Sequence, residues 1–170
     1  LHRLALHGPT AAAALEAARL NCGWRHITRN SADCTIAFRQ PGLSLDLGGI
    51  AKGFALDQAA AILRESGVEH AFLHGGASTI TTIGPAPDGQ PWRVWIDDHA
   101  DKSVSPRRWT ALLDNTSLSV SAPSGRTITH DGQKLGHILD PRTGRPAPTP
   151  LSAAAVITDS AAAADAWSTA

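Results

Sequence analysis

A predicted strand-to-helix junction carries the first residues of this chain that could do chemistry. The segment reads Asp46-Leu47-Gly48-Gly49-Ile50-Ala51-Lys52-Gly53. Its glycines let the backbone approach a ligand closely, and the free N–H groups at a helix start favour an anion. The segment is neither a Walker A loop, which needs Gly-Lys-Ser/Thr, nor a GxGxxG dinucleotide fingerprint. It therefore suits a phosphate site of another kind, and a tight turn with a surface lysine is the alternative.

Two further segments place histidines beside turn residues. His74-Gly75-Gly76 follows an apolar run and could be a second ligand loop lined by backbone, although Gly-Gly after a strand is commonly only a turn. His137 and Asp140 stand three residues apart, and Arg142 could bind phosphate through its two-pronged guanidinium. These residue types suit proton transfer or phosphate contact. Asp140 could instead begin a structural turn by accepting hydrogen bonds from the local backbone.

Asp165 and Thr169 lie one helical turn apart, so both side chains project from the same face of the predicted last helix. A carboxylate and a hydroxyl, joined by backbone carbonyls, could hold a hard cation such as Mg²⁺. The alternative is a solvated Asp and a Thr bonded to the carbonyl one turn back. The eight histidines form no HExxH pattern and the two cysteines no CxxC pair, so a zinc site is not expected. We expect both cysteines to be small buried fillers.

Composition limits the function classes. The chain has 170 residues, of which 42% are hydrophobic and 18% charged, which is typical of one globular domain. Fifteen basic residues balance fifteen acidic ones, so no net charge attracts nucleic acid, and no apolar run of about 18 residues could span a membrane. The chain has no methionine, begins at Leu1 and ends within a predicted helix. We expect one domain over residues 1–170, incomplete at both ends.

The elements that must position these residues follow from periodicity and turn signals. Helices are predicted over residues 9–21, from Gly48-Gly49 to Gly67, and from Asp159 to the end. Strands are predicted over residues 34–38, 43–47, 68–74, 79–83, 92–96, 109–113, 117–121, 126–129 and 153–158. The first two strands would form a hairpin around Gln40-Pro41-Gly42. This pattern predicts the α/β (α+β) class and no strand order.

The four segments, in this order, resemble the ApbE family of flavin transferases, which move FMN from FAD onto a Thr or Ser hydroxyl of an acceptor flavoprotein. The resemblance is carried most specifically by His137-Ile138-Leu139-Asp140-Pro141-Arg142-Thr143-Gly144 and by Ala164-Asp165-Ala166-Trp167-Ser168-Thr169-Ala170. It spans nearly the whole chain and implies a layered domain with a mixed sheet. Members of the family are usually about twice as long, and Pro123 is an addition to a loop that is compact in many of them.

The resemblance implies a set of site residues. It implies Mg²⁺ held by the Gly49 carbonyl, the Asp165 carboxylate and the Thr169 hydroxyl. It also implies FAD against Asp46, Lys52 and Leu139, with Gly75 and Gly76 bordering the same cleft.

The resemblance further implies that the acceptor hydroxyl attacks the FMN-side phosphorus of FAD and that AMP leaves. His137 and Asp46 are the two candidates for the catalytic base. The alternatives are a module that binds FAD or assembles flavoproteins without transfer, and a magnesium-dependent hydrolase that gives FMN and AMP. The expected partners are FAD and the acceptor flavoprotein, with no nucleic acid, and the expected location is the bacterial periplasm or an inner-membrane lipoprotein.

Overall fold

A computed structural model describes residues 12–97, 108–122, 127–130 and 133–170. Contacts divide the chain into two compact units. One, here the hairpin unit, comprises Leu1–Leu45 and Gly125–Pro150; the other, here the sheet unit, comprises Asp46–Ser124 and Leu151–Ala170. The expectation of a single domain stays a prediction.

The described elements alternate between the two units. In chain order they are α1 (Ala12–Leu20), a short 3-10 turn (Trp24–His26), β1 (Ile27–Asn30), β2 (Thr35–Phe38), α2 (Ala51–Glu65), β3 (Ala71–Gly75), β4 (Thr79–Ile83), β5 (Trp92–Asp97), β6 (Arg108–Leu113), β7 (Ser117–Ser121), β8 (Thr127–His130), β9 (Gln133–Gly136), β10 (Leu139–Asp140), β11 (Arg145–Pro146), β12 (Ala154–Thr158) and α3 (Ala161–Thr169). The predicted α/β class is confirmed.

The sheet unit is built on four antiparallel strands in the order β12-β7-β4-β3. Strands β4 and β7 pair with Thr79 opposite Ser119 and Thr81 opposite Ser117. Because successive side chains alternate between the two faces of a strand, these four small hydroxyl residues share one face. Helix α3 packs against that face, since Thr79 and Ser119 hydrogen-bond to residues of α3. The face towards α3 is therefore polar, although it is buried.

The opposite face of the sheet carries the apolar core. Leu118 of β7 lies there and packs in one cluster with Ala111 and Leu113 of the β5–β6 hairpin, and all three are buried. Partly buried apolar side chains surround the cluster: Ile80, Trp92, Val94, Ile96 and Val120. The alternation of hydroxyl and apolar residues along β4 and β7 thus gives the sheet a polar face towards α3 and an apolar face towards the β5–β6 pair.

Helix α2 packs against α3 at Gly53, where a Cβ would overlap the backbone carbonyl of Ala161. Only glycine allows this separation. Asp57, one turn further along α2, accepts hydrogen bonds from the Ala161 N–H at 2.7 Å and the Ala162 N–H at 3.0 Å. Ser160, the N-cap of α3, accepts from the Ala163 N–H and donates to Asp57. The start of α3 is therefore fixed by its own cap and by α2.

The hairpin unit contains α1 and three antiparallel strand pairs, β1–β2, β8–β9 and β10–β11. The predicted strand over residues 43–47 is wrong: β2 pairs with β1, and residues 43–47 form no strand. β1, β9 and the two-residue strands β10 and β11 were not predicted. The expectation of two buried cysteines is also wrong, because Cys34 is exposed and Cys22 only partly buried. Within the described ranges, no helix is long and apolar enough to cross a membrane.

Candidate functional site

The side chain of Asp165 is the most deeply buried carboxylate that the structure describes, with 2% of its surface exposed. Its Oδ1 accepts a hydrogen bond from Nζ of Lys52 at 2.7 Å and a longer one from Thr79 at 3.4 Å. Its Oδ2 accepts from the backbone N–H of Gly53 at 3.1 Å. A buried charge is tolerated only when it is paired and hydrogen-bonded, and Asp165 has both kinds of partner.

Two elements that are distant in sequence bring these partners together. Lys52 and Gly53 lie in the first turn of α2, and Asp165 lies in the middle of α3. The Gly53 contact and the Asp57 cap hold the two helices in register, so the amide of Gly53 points at the carboxylate. The glycine-rich junction and the acidic helix predicted separately from sequence therefore form one site.

Thr169 adjoins Asp165, and Gly49 lies beside Thr169. The Thr169 hydroxyl donates to the backbone carbonyl of Asp165 at 3.2 Å, the helical bond weighed above as an alternative to metal ligation. A Cβ on Gly49 would lie 3.6 Å from Cγ2 and 3.9 Å from Oγ1 of Thr169. Gly49 thus lies beside Thr169, and Thr169 lies one helical turn from Asp165. The roles of these three residues as metal ligands stay predictions.

The donor chemistry of this cluster fits a hard divalent cation. Carboxylate, hydroxyl and carbonyl oxygens are the ligands that Mg²⁺ prefers, and the buried carboxylate already holds a positive charge in the form of Lys52. In the described part of the chain, no group of three or more His, Cys, Asp or Glu side chains could hold a metal. A cation here would therefore be coordinated by one carboxylate, by neutral protein oxygens and by oxygens of a bound substrate.

Of the predicted flavin-contacting residues of the sheet unit, Asp46 lies in the loop before α2, Lys52 in its first turn, and Gly75 and Gly76 at the end of β3. A Cβ on Gly75 would make ordinary contact with the Cβ of Lys52 at 3.6 Å, so the two backbones are close. Gly76 has a φ of +74°, a left-handed conformation that favours glycine, and the space beside it is open. Asp46 is exposed and accepts a hydrogen bond from the Gly48 N–H at 2.8 Å. Its predicted roles towards FAD and as a base stay predictions.

The remaining predicted residues belong to the hairpin unit. His137 and Leu139 are half-buried and flank the start of β10, and their roles stay predictions. Asp140 begins a turn, since its side chain accepts from the backbone N–H of Arg142 at 2.9 Å and its carbonyl accepts from Gly144 at 2.7 Å. The structural alternative for Asp140 is confirmed.

The guanidinium of Arg142 binds Asp140 rather than standing free for phosphate. Its Nε lies 3.0 Å from Oδ1 and its Nη2 lies 2.8 Å from Oδ2 of the carboxylate. Hydrogen bonds from the side chain and then from the backbone N–H of Arg142 lower the pKa of Asp140 below its ordinary value. The same pairing raises the pKa of Arg142.

Sequence reasoning missed several residues that surround Asp165: Asp57, Thr79, Ser119, Ser121 and Ser168. The alternating hydroxyls of residues 79–81 and 117–121 were a readable signal of one polar strand face. For Asp57 there was no signal, because a single acidic residue on a helix is ordinarily solvated and its partner lies 103 residues away.

Solved structures share this fold. The flavin transferase ApbE from Vibrio cholerae matches with a TM-score of 0.82 and 28% identity, over 96% of this chain and 50% of that one. The flavinyl transferase ApbE of Pseudomonas stutzeri, in its apo form, matches with a TM-score of 0.80 and 28% identity, over 99% of this chain and 52% of that one. The mixed α/β architecture described above is therefore that of flavin transferase structures.

Sequence comparison leads to the same family. A protein of Salmonella typhimurium named FAD:protein FMN transferase is 29% identical over 98% of this chain and 47% of its own length. Another of that name, from Rhodobacter capsulatus, is 35% identical over 80% of this chain and 25% of its own length. Residues 3–170 match the ApbE family, and the chain belongs to it. The chain spans about half the length of the Salmonella relative and 25% of the length of the Rhodobacter relative.

Proposed function

We propose that this chain forms the pyrophosphate-binding and cation-binding part of an FAD:protein FMN transferase. The observation that carries the proposal is the buried Asp165, paired with Lys52 and set beside a glycine-rich helix start. A buried anion facing a phosphate-type loop would repel a pyrophosphate unless a cation lay between them. The names of the matched relatives supply the substrate, FAD, and the class of reaction.

The residues of the sheet unit divide the work of binding. The Gly49 carbonyl, the Asp165 carboxylate and the Thr169 hydroxyl would hold Mg²⁺, which when bound neutralises charge on the pyrophosphate. Lys52 would turn its ammonium to a phosphate oxygen, and the backbone at Gly75 and Gly76 would border the flavin cleft. We propose that Asp46 contacts FAD as well, and the predicted FAD contact of Leu139, which belongs to the hairpin unit, stays a prediction.

The transfer step forms one bond and breaks one. The hydroxyl oxygen of a Thr or Ser in the acceptor flavoprotein bonds to the FMN-side phosphorus, and the bond from that phosphorus to the bridging oxygen breaks, so that AMP leaves with that oxygen. The proton of the acceptor hydroxyl passes to a base of this protein. We propose His137 as this base, and Asp46 is the other candidate.

Mass spectrometry of an acceptor domain incubated with FAD, Mg²⁺ and the full-length protein tests the proposal. Transfer is expected to add the mass of FMN less one water to a Thr or Ser of the acceptor and to release one AMP for each adduct. Free FMN with AMP would instead show a hydrolase, and intact FAD retained by the protein would show a binding module. Either of these results would overturn the transferase proposal. The periplasmic or lipoprotein location stays a prediction.

A further inference from the structure

A circuit of hydroxyl groups lies beneath the two side chains that we propose as metal ligands. Successive oxygens are 3.1, 3.2, 2.9 and 3.1 Å apart along Thr79, Ser119, Ser168, Ser121 and Thr169. Both ends of the circuit meet Asp165. Thr79 donates to its carboxylate at 3.4 Å, and Thr169 donates to its backbone carbonyl at 3.2 Å.

The middle of the circuit is shielded from water. Thr79 and Ser119 have no exposed surface, and Ser168 is 5% exposed. Buried hydroxyls must satisfy their hydrogen bonds within the protein, so the orientation of each one depends on its neighbours. Ser119 itself cannot reach a bound ligand, and any effect it has on the site must pass through Thr79 or Ser168.

Counting protons gives the circuit a direction. A carboxylate and a carbonyl oxygen only accept, so the protons of Thr79 and Thr169 point towards Asp165. Ser119 is then the donor in its contact with Thr79. Ser168 has one proton for two acceptors, the Ser119 hydroxyl at 3.2 Å and the Asp165 carbonyl at 3.1 Å, so it also joins the circuit directly to Asp165. With its proton on the Asp165 carbonyl, the Thr169 oxygen keeps a lone pair for a cation.

We propose that Ser119 is a positioning residue for the metal site. Through Thr79 it orients the Asp165 carboxylate, and through Ser168 and Ser121 it orients the Thr169 hydroxyl. This inference rests on the proposed function, because it assigns to Ser119 the pre-alignment of the two side chains that would hold the cation. Residues that align metal ligands from behind commonly change metal affinity by about 10- to 100-fold when they are removed.

The same two strands supply a matched control. Ser117 and Thr81 pair across β7 and β4 two residues away from Ser119 and Thr79, and their hydroxyls are 2.8 Å apart. Ser117 and Thr81 are buried to nearly the same extent as Ser119 and Thr79, with 0% and 3% of their surface exposed. Among the described residues, no side-chain hydrogen bond links this pair to the circuit. Loss of Ser117 therefore removes a buried hydroxyl from the same face of the same strand without touching the metal site.

The test uses the full-length protein with FAD and Mn²⁺, an ion that takes the same oxygen ligands as Mg²⁺ and is counted by electron paramagnetic resonance of its free form. Ser119→Ala is expected to weaken Mn²⁺ binding about tenfold or more, whereas Ser117→Ala should stay within about twofold of the wild type. Ser119→Ala should lose more thermal stability than Ser117→Ala, since it removes two buried side-chain hydrogen bonds and Ser117→Ala removes one. The comparison therefore rests on Mn²⁺ affinity measured below the melting temperature of both variants. Thr79→Val and Thr81→Val give a second matched pair of nearly unchanged shape if an alanine variant does not fold.

Equal Mn²⁺ affinity for the two members of a pair would overturn the positioning role. The Asp165→Asn variant separates this result from failure of the proposed function. If Asp165→Asn binds Mn²⁺ as tightly as the wild type, the metal site itself is wrong, and the role of Ser119 falls with it. If Asp165→Asn loses the ion while Ser119→Ala and Ser117→Ala behave alike, only the positioning role is wrong.

Discussion

Asp140 and Asp165 each carry a cationic partner, and the two ion pairs are built in opposite ways. Asp140 in the hairpin unit binds Arg142, two residues along the chain, within a single turn. Asp165 in the sheet unit binds Lys52, which is 113 residues away, and adds a backbone amide and a buried hydroxyl. Both carboxylates are buried, at 9% and 2% exposure, but the Arg142 side chain is 87% exposed and that of Lys52 only 39%.

The difference separates a structural ion pair from one suited to chemistry. An ion pair whose cation is in water contributes little and is easily exchanged for solvent. A buried carboxylate lowers the free energy of unfolding unless a cation is paired with it. If Lys52 moves away, Asp165 is therefore stabilised by binding another cation. Asp165 is therefore the group that we expect to exchange an ammonium for a metal ion, and Asp140 is the group that we expect to hold a turn.

The largest effect is expected from His137, the proposed base of the hairpin unit. His137→Gln should lower kcat by roughly 10²–10⁴-fold and leave FAD affinity nearly unchanged, because glutamine keeps a hydrogen bond but accepts no proton at neutral pH. Stopped assays with the full-length protein across pH 5 to 9 measure this. Asp46→Asn is the matched variant of the sheet unit. A pH profile that survives in His137→Gln but is lost in Asp46→Asn would make Asp46 the base.

The next effect concerns the contact between α2 and α3. Gly53→Ala should destabilise the protein by roughly 2–4 kcal/mol, because the new methyl overlaps the Ala161 carbonyl and pushes Asp165 away from the Gly53 amide. Gly49→Ala is the control, since its methyl would make only ordinary contact with Thr169. Denaturant melts that show equal stability for the two variants would contradict the packing described here.

Removing the ammonium should have opposite effects on the metal-free and metal-bound protein. Lys52→Met keeps the aliphatic stem but leaves Asp165 unpaired, and it should lower metal-free stability by about 1–3 kcal/mol. The same variant should bind Mn²⁺ more tightly, because no ammonium competes for the carboxylate. Arg64→Met removes an exposed cation from the other end of α2 and should change neither quantity. Weaker Mn²⁺ binding in Lys52→Met would show that Lys52 does not compete with the metal.

The smallest effect is expected at Asp140. Arg142→Met should raise the pKa of Asp140 towards its ordinary value, because the guanidinium is the main cause of its depression. Since the folded-state pKa lies below the unfolded value of about 3.9, the stabilising contribution is present above that pH and is lost as the pH falls through the folded-state pKa. NMR titration of the carboxyl measures the shift, with Arg145→Met in the same turn as the control. An unchanged Asp140 titration in Arg142→Met would contradict the pairing.

The sequence predicted what local interactions determine. Helix α2 was predicted from its apolar stripe and Gly67, and α3 from its Asp-Ser start, and both are confirmed because caps and periodicity act within a few residues. The predicted pairing of β2 with residues 43–47 was wrong. Residues 43–47 have the alternation of a strand but pair with no other strand, and β2 pairs with β1. The contacts of Asp165 could not be predicted from local signals, since Lys52 and Thr79 are 113 and 86 residues away along the chain and meet it through tertiary packing.

The central claim is that a cation at Asp165 is needed for flavin transfer. The most direct measurement compares the rate of FMN adduct formation in the full-length Asp165→Asn and Asp97→Asn variants as Mg²⁺ is titrated. Asp97 is the control because its ion pair with Arg108 is about half exposed. We predict that Asp165→Asn loses roughly 10³-fold or more of the rate at every Mg²⁺ concentration, while Asp97→Asn follows the wild type. An Asp165→Asn variant with the wild-type rate and the wild-type Mg²⁺ dependence would contradict the claim.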